Sequence, residues 1–287
     1  MARRFDEPSE VPPVVPDGAP FDVREALEHT MRRPSTARMY DVFLGGKDNY
    51  AEDRDAAEAV EKVAPSIPRA ARDNRAFMAR AVAWCAQQGI EQIIDLGTGF
   101  PTEPNALDTA RRFMPDAVVV GVDHDPVVLA HAQGPAGMSV LPGDIRDPGA
   151  VIAGLSEWIE WEEPVAVLMV AVLHFIADEE DPAGIVAAFA ERLVPGSAVV
   201  ISHVCSTGAD PSTVAEVERV YAGSTSPGSR FRTHEEITAL FGGLHLVPPG
   251  VVQVQHWPIE RGPVTDLPVL GGIGTVPARR RRRRRPR

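Results

Sequence analysis

Along the chain, apolar residues follow two rhythms. From Ala70 to Gln88 they recur three to four apart (Phe77, Ala81, Trp84, Cys85), the spacing of one helical face, and Gly89 stands where a helix C-terminus is closed. Residues 35–64 also have helical composition, interrupted by the polar stretch Leu44-Gly-Gly-Lys-Asp-Asn-Tyr50. After Gly89, short apolar runs alternate with helical stretches. Residues 92–96, 117–122, 165–172 and 198–202 predict buried strands, and 244–247 and 251–257 predict two closing strands. Thr102 is expected to cap a helix reaching Phe113, with Ala106, Leu107, Ala110 and Phe113 facing inward. Asp-Pro pairs beginning at Asp125, Asp147, Asp181 and Asp210 each supply an N-cap followed by proline at N1. Residues 233–236 read Thr-His-Glu-Glu, a capping box. Strand and helix in alternation predict a mostly parallel sheet covered on both faces, with ligands beyond the carboxyl ends of its strands.

Composition narrows the classes. The 287 residues are 44% hydrophobic and 24% charged, enough chain for a sizeable core. The net charge of −11 is unevenly spread: eight arginines lie between Arg279 and Arg287, and the remainder carries 21 basic against 40 acidic side chains. A body that acidic repels phosphate backbones, so nucleic acid is disfavoured as its substrate. The arginine run reads as a solubilising tail, with weak nucleic-acid contact as the other reading. The longest apolar run, residues 165–177, is too short to span a membrane, and no apolar stretch follows the arginine pair at residues 3–4. Cys85 and Cys205 have neither metal-ligand nor disulfide spacing, so no metal is expected and the cytoplasm is the expected compartment. Five prolines in the first 20 residues mark a disordered leader.

The predicted strand ends carry the candidate chemistry. After the first comes Asp95-Leu-Gly97-Thr98-Gly99-Phe-Pro101, whose glycines allow close backbone approach to a ligand. After the second comes Asp123, placed to accept both hydroxyls of a ribose, since Asp125 suits the helix cap. After the third comes Gly143-Asp144-Ile145-Arg146, where a carboxylate and an apolar side chain suit an adenine. A dinucleotide-binding turn wants a third glycine near position 102, where this chain has Pro101-Thr102. Asp95 has a use if the ligand carries a cationic methionine arm.

These stretches resemble motifs I, II and III of class I S-adenosyl-L-methionine-dependent methyltransferases. A narrower resemblance rests on Pro34-Ser-Thr-Ala-Arg38-Met-Tyr40-Asp41-Val-Phe-Leu-Gly45-Gly46-Lys-Asp-Asn49-Tyr50, on Asn74-Arg75-Ala-Phe77, on residues 97–102 and on Val172-Leu-His174-Phe. Together these are similar to a bacterial S-adenosyl methyltransferase family formerly listed as a domain of unknown function, over residues 34–257. The resemblance implies a Rossmann-like doubly wound α/β fold of seven strands in the order 3-2-1-4-5-7-6, strand seven antiparallel. The expected organisation is a leader (1–33), an N-terminal helical lid (34–90), the cofactor-binding domain (91–257) and a disordered tail (258–287).

The resemblance implies S-adenosyl-L-methionine as cofactor and gives no substrate; the expected activity is O- or N-methylation of a small-molecule acceptor by in-line transfer. Gly97, Thr98 and Gly99 run beneath the methionine arm with Asp95 near its ammonium, while Arg75 is the candidate for its carboxylate. Asp123 takes the ribose, with His124, Asp144 and Ile145 about the adenine. Tyr40, Gly46, Asn49 and Tyr50 are expected to fold over the cofactor. His174 is the candidate base, His203 a weaker one, and Tyr221 and His234 are candidates for the acceptor pocket. The chain has no Asn-Pro-Pro-Tyr-like motif after the fourth strand and no Pro-Cys pair, which lowers the odds of exocyclic-amine and cytosine-C5 methylation. Two readings compete: a protein that binds the cofactor without turnover, and a nicotinamide oxidoreductase. The latter is disfavoured by the missing glycine and by both lysines (Lys47, Lys62) lying before the sheet.

Overall fold

The structure, a computed structural model, describes residues 32–132, 139–226, 229–259, 262–263 and 265–277. The expected leader lies outside the described residues except at positions 32 and 33, and so does the arginine run of residues 279–287.

Three helices come first: α1 (Thr36–Leu44), α2 (Ala51–Val63) and α3 (Ile67–Gln87), the break between α1 and α2 falling in the glycine-bearing stretch that predicted it. Strand and helix then alternate: β1 (Gln92–Leu96), α4 (Ala106–Phe113), β2 (Val118–Asp123), α5 (Pro126–Ala132), β3 (Ser139–Pro142), α6 (Pro148–Leu155), β4 (Val165–Val170), α7 (Pro182–Arg192), β5 (Ala198–Val204) and α8 (Pro211–Tyr221). Helix α9 (His234–Ala239) and strands β6 (His245–Leu246), β7 (Val252–Gln253) and β8 (Val269–Thr275) complete the fold. The aspartates of all four Asp-Pro pairs accept a backbone N–H of the first helical turn, from Val127, Ala150, Gly184 and Thr213 respectively.

The strands form one sheet in the order β3-β2-β1-β4-β5-β8-β6, with β7 also paired to β8. Strands β1 to β5 are parallel and β8 runs antiparallel to β5. This is the expected seven-strand order, with the short β7 added.

Side-chain alternation sorts the strands into two cores. Ile94, Val167, Met169, Val199 and Ile201 pack under α6, α7 and α9, around Leu155, Phe189 and Phe241. Their neighbours Ile93, Ala166, Leu168, Ala198 and Val200 pack against α3 and α4, around Phe77, Ala81 and Leu107. A third cluster, including Met39, Phe43, Val60, Val217 and Phe231, fastens α1 and α2 to α8.

Four expectations need correction. The helix expected from Thr102 begins at Ala106 with Asn105 as its cap, the Asn105 side chain accepting from Asp108 N at 2.8 Å. Pro104 disfavours helical geometry at Glu103, so the turn starts only beyond it. Phe113 is 53% exposed, not inward. The central antiparallel strand is β8, inside the stretch expected to be a disordered tail, so the sheet domain runs past residue 257; of residues 251–257 only Val252–Gln253 pair as strand. Three glycines in Val-Leu-Gly-Gly-Ile-Gly-Thr lower strand propensity. They are needed for fit: a Cβ on Gly271 would stand 2.7 Å from the Phe77 ring.

Candidate functional site

One large cleft opens above the carboxyl ends of the parallel strands, roofed by α1 and walled by α3. Over β1, β2 and β3 it is lined by Asp95, Gly97, Thr98, Gly99, Asp123 and His124, and by residues 143–146. Over β4, β5 and β8 it is lined by Val170, His174, Phe175, Val204 and Val269, with Tyr221 from α8 and Phe43 and Leu44 from α1.

The floor of the first half is held by short backbone bonds. Gly97 N and Thr98 N both donate to Val122 O, at 2.8 and 3.2 Å, folding the chain over β2. Gly97 has φ 68°, and a Cβ there would stand 2.6 Å from Val172 Cγ2, so only glycine fits. Asp123 is not idle as its neighbour's capping role implied: its Oδ2 accepts Gly99 N at 2.9 Å and its Oδ1 accepts Asp125 N at 3.0 Å. Asp95, 6% exposed, accepts the Thr98 hydroxyl at 2.9 Å. Burial pushes its carboxyl up to about 6 against the opposing pull of Arg75. Burial also raises Asp123. Two carboxyls raised by desolvation in one cleft call for a cation. Asp144 is partly exposed and pairs with Arg146, which reaches Glu180 at 2.6 Å, while Ile145 is buried.

Helix α3 presents Ile67, Ala70, Ala71, Asn74, Arg75 and Met78 to the cleft. The Asn74 side-chain N–H donates to the Tyr40 hydroxyl at 2.9 Å, and that hydroxyl donates to Ala71 O. Arg75 lies over the Tyr40 ring and donates to Phe100 O. Asn74 Oδ1 and Arg75 Nε are buried without a partner among the described residues. A polar residue interrupting the apolar stripe of α3 is the sequence signal that would have found Asn74.

Tyr40 lines the cleft, whereas Gly46, Asn49 and Tyr50 stand behind its wall. Gly46 lies against the Asp41 carboxylate, which accepts Asn49 Nδ2 at 2.9 Å and the Thr102 hydroxyl at 3.0 Å. Tyr50 stacks under the Arg38 guanidinium. These residues shape the lid loop and are not on the cleft lining; Asp41 gathers Asp48 N, the Asn49 amide and the Thr102 hydroxyl. Arg38, fully buried, is paired with Asp53 at 2.7 Å; Asp53 accepts Ser35 N, and the Ser35 hydroxyl donates to Asp125. This chain of bonds ties the roof to the end of β2. Nothing local in the sequence announces it.

In the second half, the backbone leaves β4 through Ala171 at φ 56°, an uncommon conformation for alanine, held by the Ser202 hydroxyl accepting Ala171 N at 2.9 Å. This turn throws residues 172–175 across the strand ends. Arg232 clamps both ends of that turn, donating to Leu173 O at 3.0 Å and Ile176 O at 2.9 Å. It also donates to His203 Nε2 at 2.9 Å, so the His203 proton sits on Nδ1, 2.7 Å from Val204 O. Both nitrogens of His203 are thereby used, and it does not line the cleft. Burial draws His203 down to about 4.

His174 is 7% exposed and stacks between Phe175 and His203, at 4.3 and 5.4 Å. Neither ring nitrogen has a hydrogen-bond partner among the described residues. Nδ1 is sealed, which leaves Nε2 as the nitrogen accessible from the cleft. Burial, then the neighbouring His203 and Arg232, hold the ring well below the usual imidazole range. Tyr221 lines the cleft as expected; His234 does not, its Nε2 being 3.0 Å from Val251 O. Among the described residues no group of three or more His, Cys, Asp or Glu is placed to hold a metal, and no helix is long and apolar enough to cross a membrane.

The family model described as S-adenosyl methyltransferase matches residues 24–277. A crystal structure of a candidate methyltransferase from Thermobifida fusca YX is 33% identical, at TM-score 0.78, covering 86% of this chain and 96% of that one. A DUF574 family protein from Streptomyces avermitilis MA-4680 is 36% identical, at TM-score 0.81, covering 86% and 99%. Among curated proteins none matches.

Proposed function

The chain belongs to the S-adenosyl methyltransferase family, and from that premise we propose that it methylates a small molecule held over β4, β5 and β8. It is an S-adenosyl-L-methionine-dependent methyltransferase. The proposal concerns which residues serve that activity and what they act on.

The residues of the first half suit this cofactor. A flat glycine turn, two carboxyls raised by burial, and unpartnered polar atoms on Asn74 and Arg75 match a ligand bearing both cation and carboxylate. Asp95 faces the ammonium, Arg75 the carboxylate, and Gly97 to Gly99 lie beneath the methionine arm. Asp123 keeps lone pairs free for the ribose hydroxyls. His124, Asp144 and Ile145 border the adenine. When bound, the cofactor supplies an electrophilic methyl group. The protein's part is to hold an acceptor in line with it and to exclude water.

The observation that carries the acceptor reading is the second half of the cleft. It continues the first without a wall and offers apolar surface beside a free histidine nitrogen. A protein that only bound the cofactor has no use for that space. The acidic body, lacking a basic stripe, argues for a small acceptor over nucleic acid. Free, buried Cys85 and Cys205 suit a cytoplasmic protein.

Calorimetric titration with S-adenosylmethionine, S-adenosylhomocysteine and NAD tests the reading. Micromolar binding of the two sulfur ligands without NAD is expected. Absence of both bindings overturns it.

A further inference from the structure

We infer that the methyl acceptor is an uncharged, planar hydroxylated ring, methylated on oxygen, with its hydroxyl bonded to His174 Nε2. This rests on the function proposed above and adds the chemistry of the acceptor to it.

Charge is the first argument. The charged side chains on the cleft lining are Asp41, Arg75, Asp95, Asp123, Asp125, Asp144 and Arg146, and each belongs to α1, α3 or the ends of β1 to β3. The lining contributed by β4, β5, β8, α8 and the turn after β4 carries none. Arg146 reaches the edge of this half through Phe175 O but is already paired with Asp144 and Glu180, so a carboxylate acceptor there would meet no unpaired cation, and an ammonium acceptor no carboxylate. Either would lose its hydration without return. Asp41 offers no relief, because its oxygens already accept from Asp48 N, Asn49 and Thr102.

Shape is the second. Phe175 stacks on His174 at 4.3 Å and on Tyr221 at 5.4 Å, tilted in both cases, so three rings form one wall. Val204 and Val269 from the sheet, with Phe43 and Leu44 from the roof, complete an apolar enclosure. A flat ring fills such a space with offset or edge contacts.

Hydrogen bonding is the third. His174 Nε2 and the Tyr221 hydroxyl both line this half, and neither has a partner among the described residues. In the neutral His174 tautomer with its proton on Nδ1, Nε2 accepts, and an acceptor carrying a hydroxyl supplies the donor that selects this tautomer. The groups facing His174 are His203, Arg232 and Phe175, and none of them can take that proton. As the hydroxyl oxygen bonds the methyl carbon, the carbon–sulfur bond breaks and the proton passes to Nε2. The products are a methyl ether, a neutral thioether and an imidazolium that releases its proton to solvent.

The test uses the full chain with saturating S-adenosylhomocysteine and a matched panel: 2-naphthol, 2-naphthylamine, 2-naphthoic acid and 2-(aminomethyl)naphthalene. Calorimetry reads binding, and mass spectrometry reads methyl transfer when S-adenosylmethionine replaces the product. Expected is binding of 2-naphthol at least tenfold tighter than the acid or the aminomethyl compound, with formation of its methyl ether. His174→Asn should cut ether formation at least a hundredfold while 2-naphthol binding changes under fivefold. Tyr221→Phe, which preserves the ring wall, should weaken binding of the naphthol and spare the pH profile of turnover. If the homocysteine product binds but the charged naphthalenes are preferred, or no naphthol binds, the inference fails and the cofactor reading stands. If the homocysteine product itself does not bind, the function proposed above fails instead.

Discussion

The two halves of the cleft solve opposite problems with adjacent strands. Over β1 to β3 the structure gathers carboxylates and buries them, raising Asp95 and Asp123 and leaving them to be neutralised by a cationic ligand. Over β4, β5 and β8 it removes charge and keeps its one histidine pair neutral. On the function proposed above, a cationic methyl donor would be drawn to the first half with its reactive end toward the second, whose lining carries no charge. One sheet thus carries a charged half beside an uncharged one.

The sharpest way to break this contrast is to remove a carboxylate from the charged half. Asp123→Ala should weaken S-adenosylhomocysteine binding on the order of 100-fold or more by calorimetry, since hydrogen bonds to a charged group contribute about 1.5–3 kcal/mol each. An effect under fivefold would dissolve the distinction between the halves. Next is the bond chain that joins roof and floor. Asp53→Ala removes the carboxylate that answers the buried Arg38, and should cost about 3–5 kcal/mol in urea denaturation.

The histidines predict a pH effect on stability. Above pH 6.5 both folded and unfolded chains hold His203 neutral. As pH falls toward about 4 the unfolded chain takes up a proton that the folded one refuses, so stability drops by on the order of 3 kcal/mol. Asp95 runs the other way over the same window, binding a proton in the folded chain below about pH 6 that the unfolded chain lacks. The measurement is therefore the difference in unfolding free energy between wild type and His203→Gln at pH 7 and pH 4.5; no difference in their slopes would refute it.

Asp95 sharpens the comparison from the charged side. A cation needs it ionised, so affinity for S-adenosylmethionine should be flat above pH 6 and fall about tenfold per unit below, while a pH-independent affinity would remove Asp95 from the ammonium. The smallest expected effect is that of Tyr221→Phe on cofactor affinity, under twofold, because Tyr221 stands on the uncharged side.

The two halves also differ in how far the sequence revealed them. Asp95 and Asp123 stand in the last residues of β1 and β2, and Asp144 two residues past β3, so period and position sufficed to find them. Asp95, Asp123 and His174 all lie on the cleft as expected from those strand ends. The uncharged half is assembled from Phe43, Tyr221, Val204 and Val269, far apart in the chain, and no local spacing links them. Arg232, which sets the turn bearing His174, lies 58 residues beyond it. The lid loop differs for a related reason: Gly46, Asn49 and Tyr50 have the composition of a ligand loop, but none of them lines the cleft, Asn49 bonding Asp41 and Tyr50 packing on Arg38. Strand β8 was hidden by its glycines, which matter only because of what packs on them.

The position of β8 has a consequence for biosynthesis. The ribosome completes β5 at Val204 and reaches Val269 about 65 residues later, several seconds at ordinary elongation rates. Throughout that interval the Ala-Val-Val-Ile edge of β5 lacks the neighbour that covers it, and β6 has no strand to join. A nascent chain stalled or truncated before residue 269 carries Asp95, Asp123 and Asp144 yet exposes an open, apolar edge on its future sheet. An open edge of this kind pairs readily with other strands, so the arrival of β8 decides whether the sheet closes on its own chain.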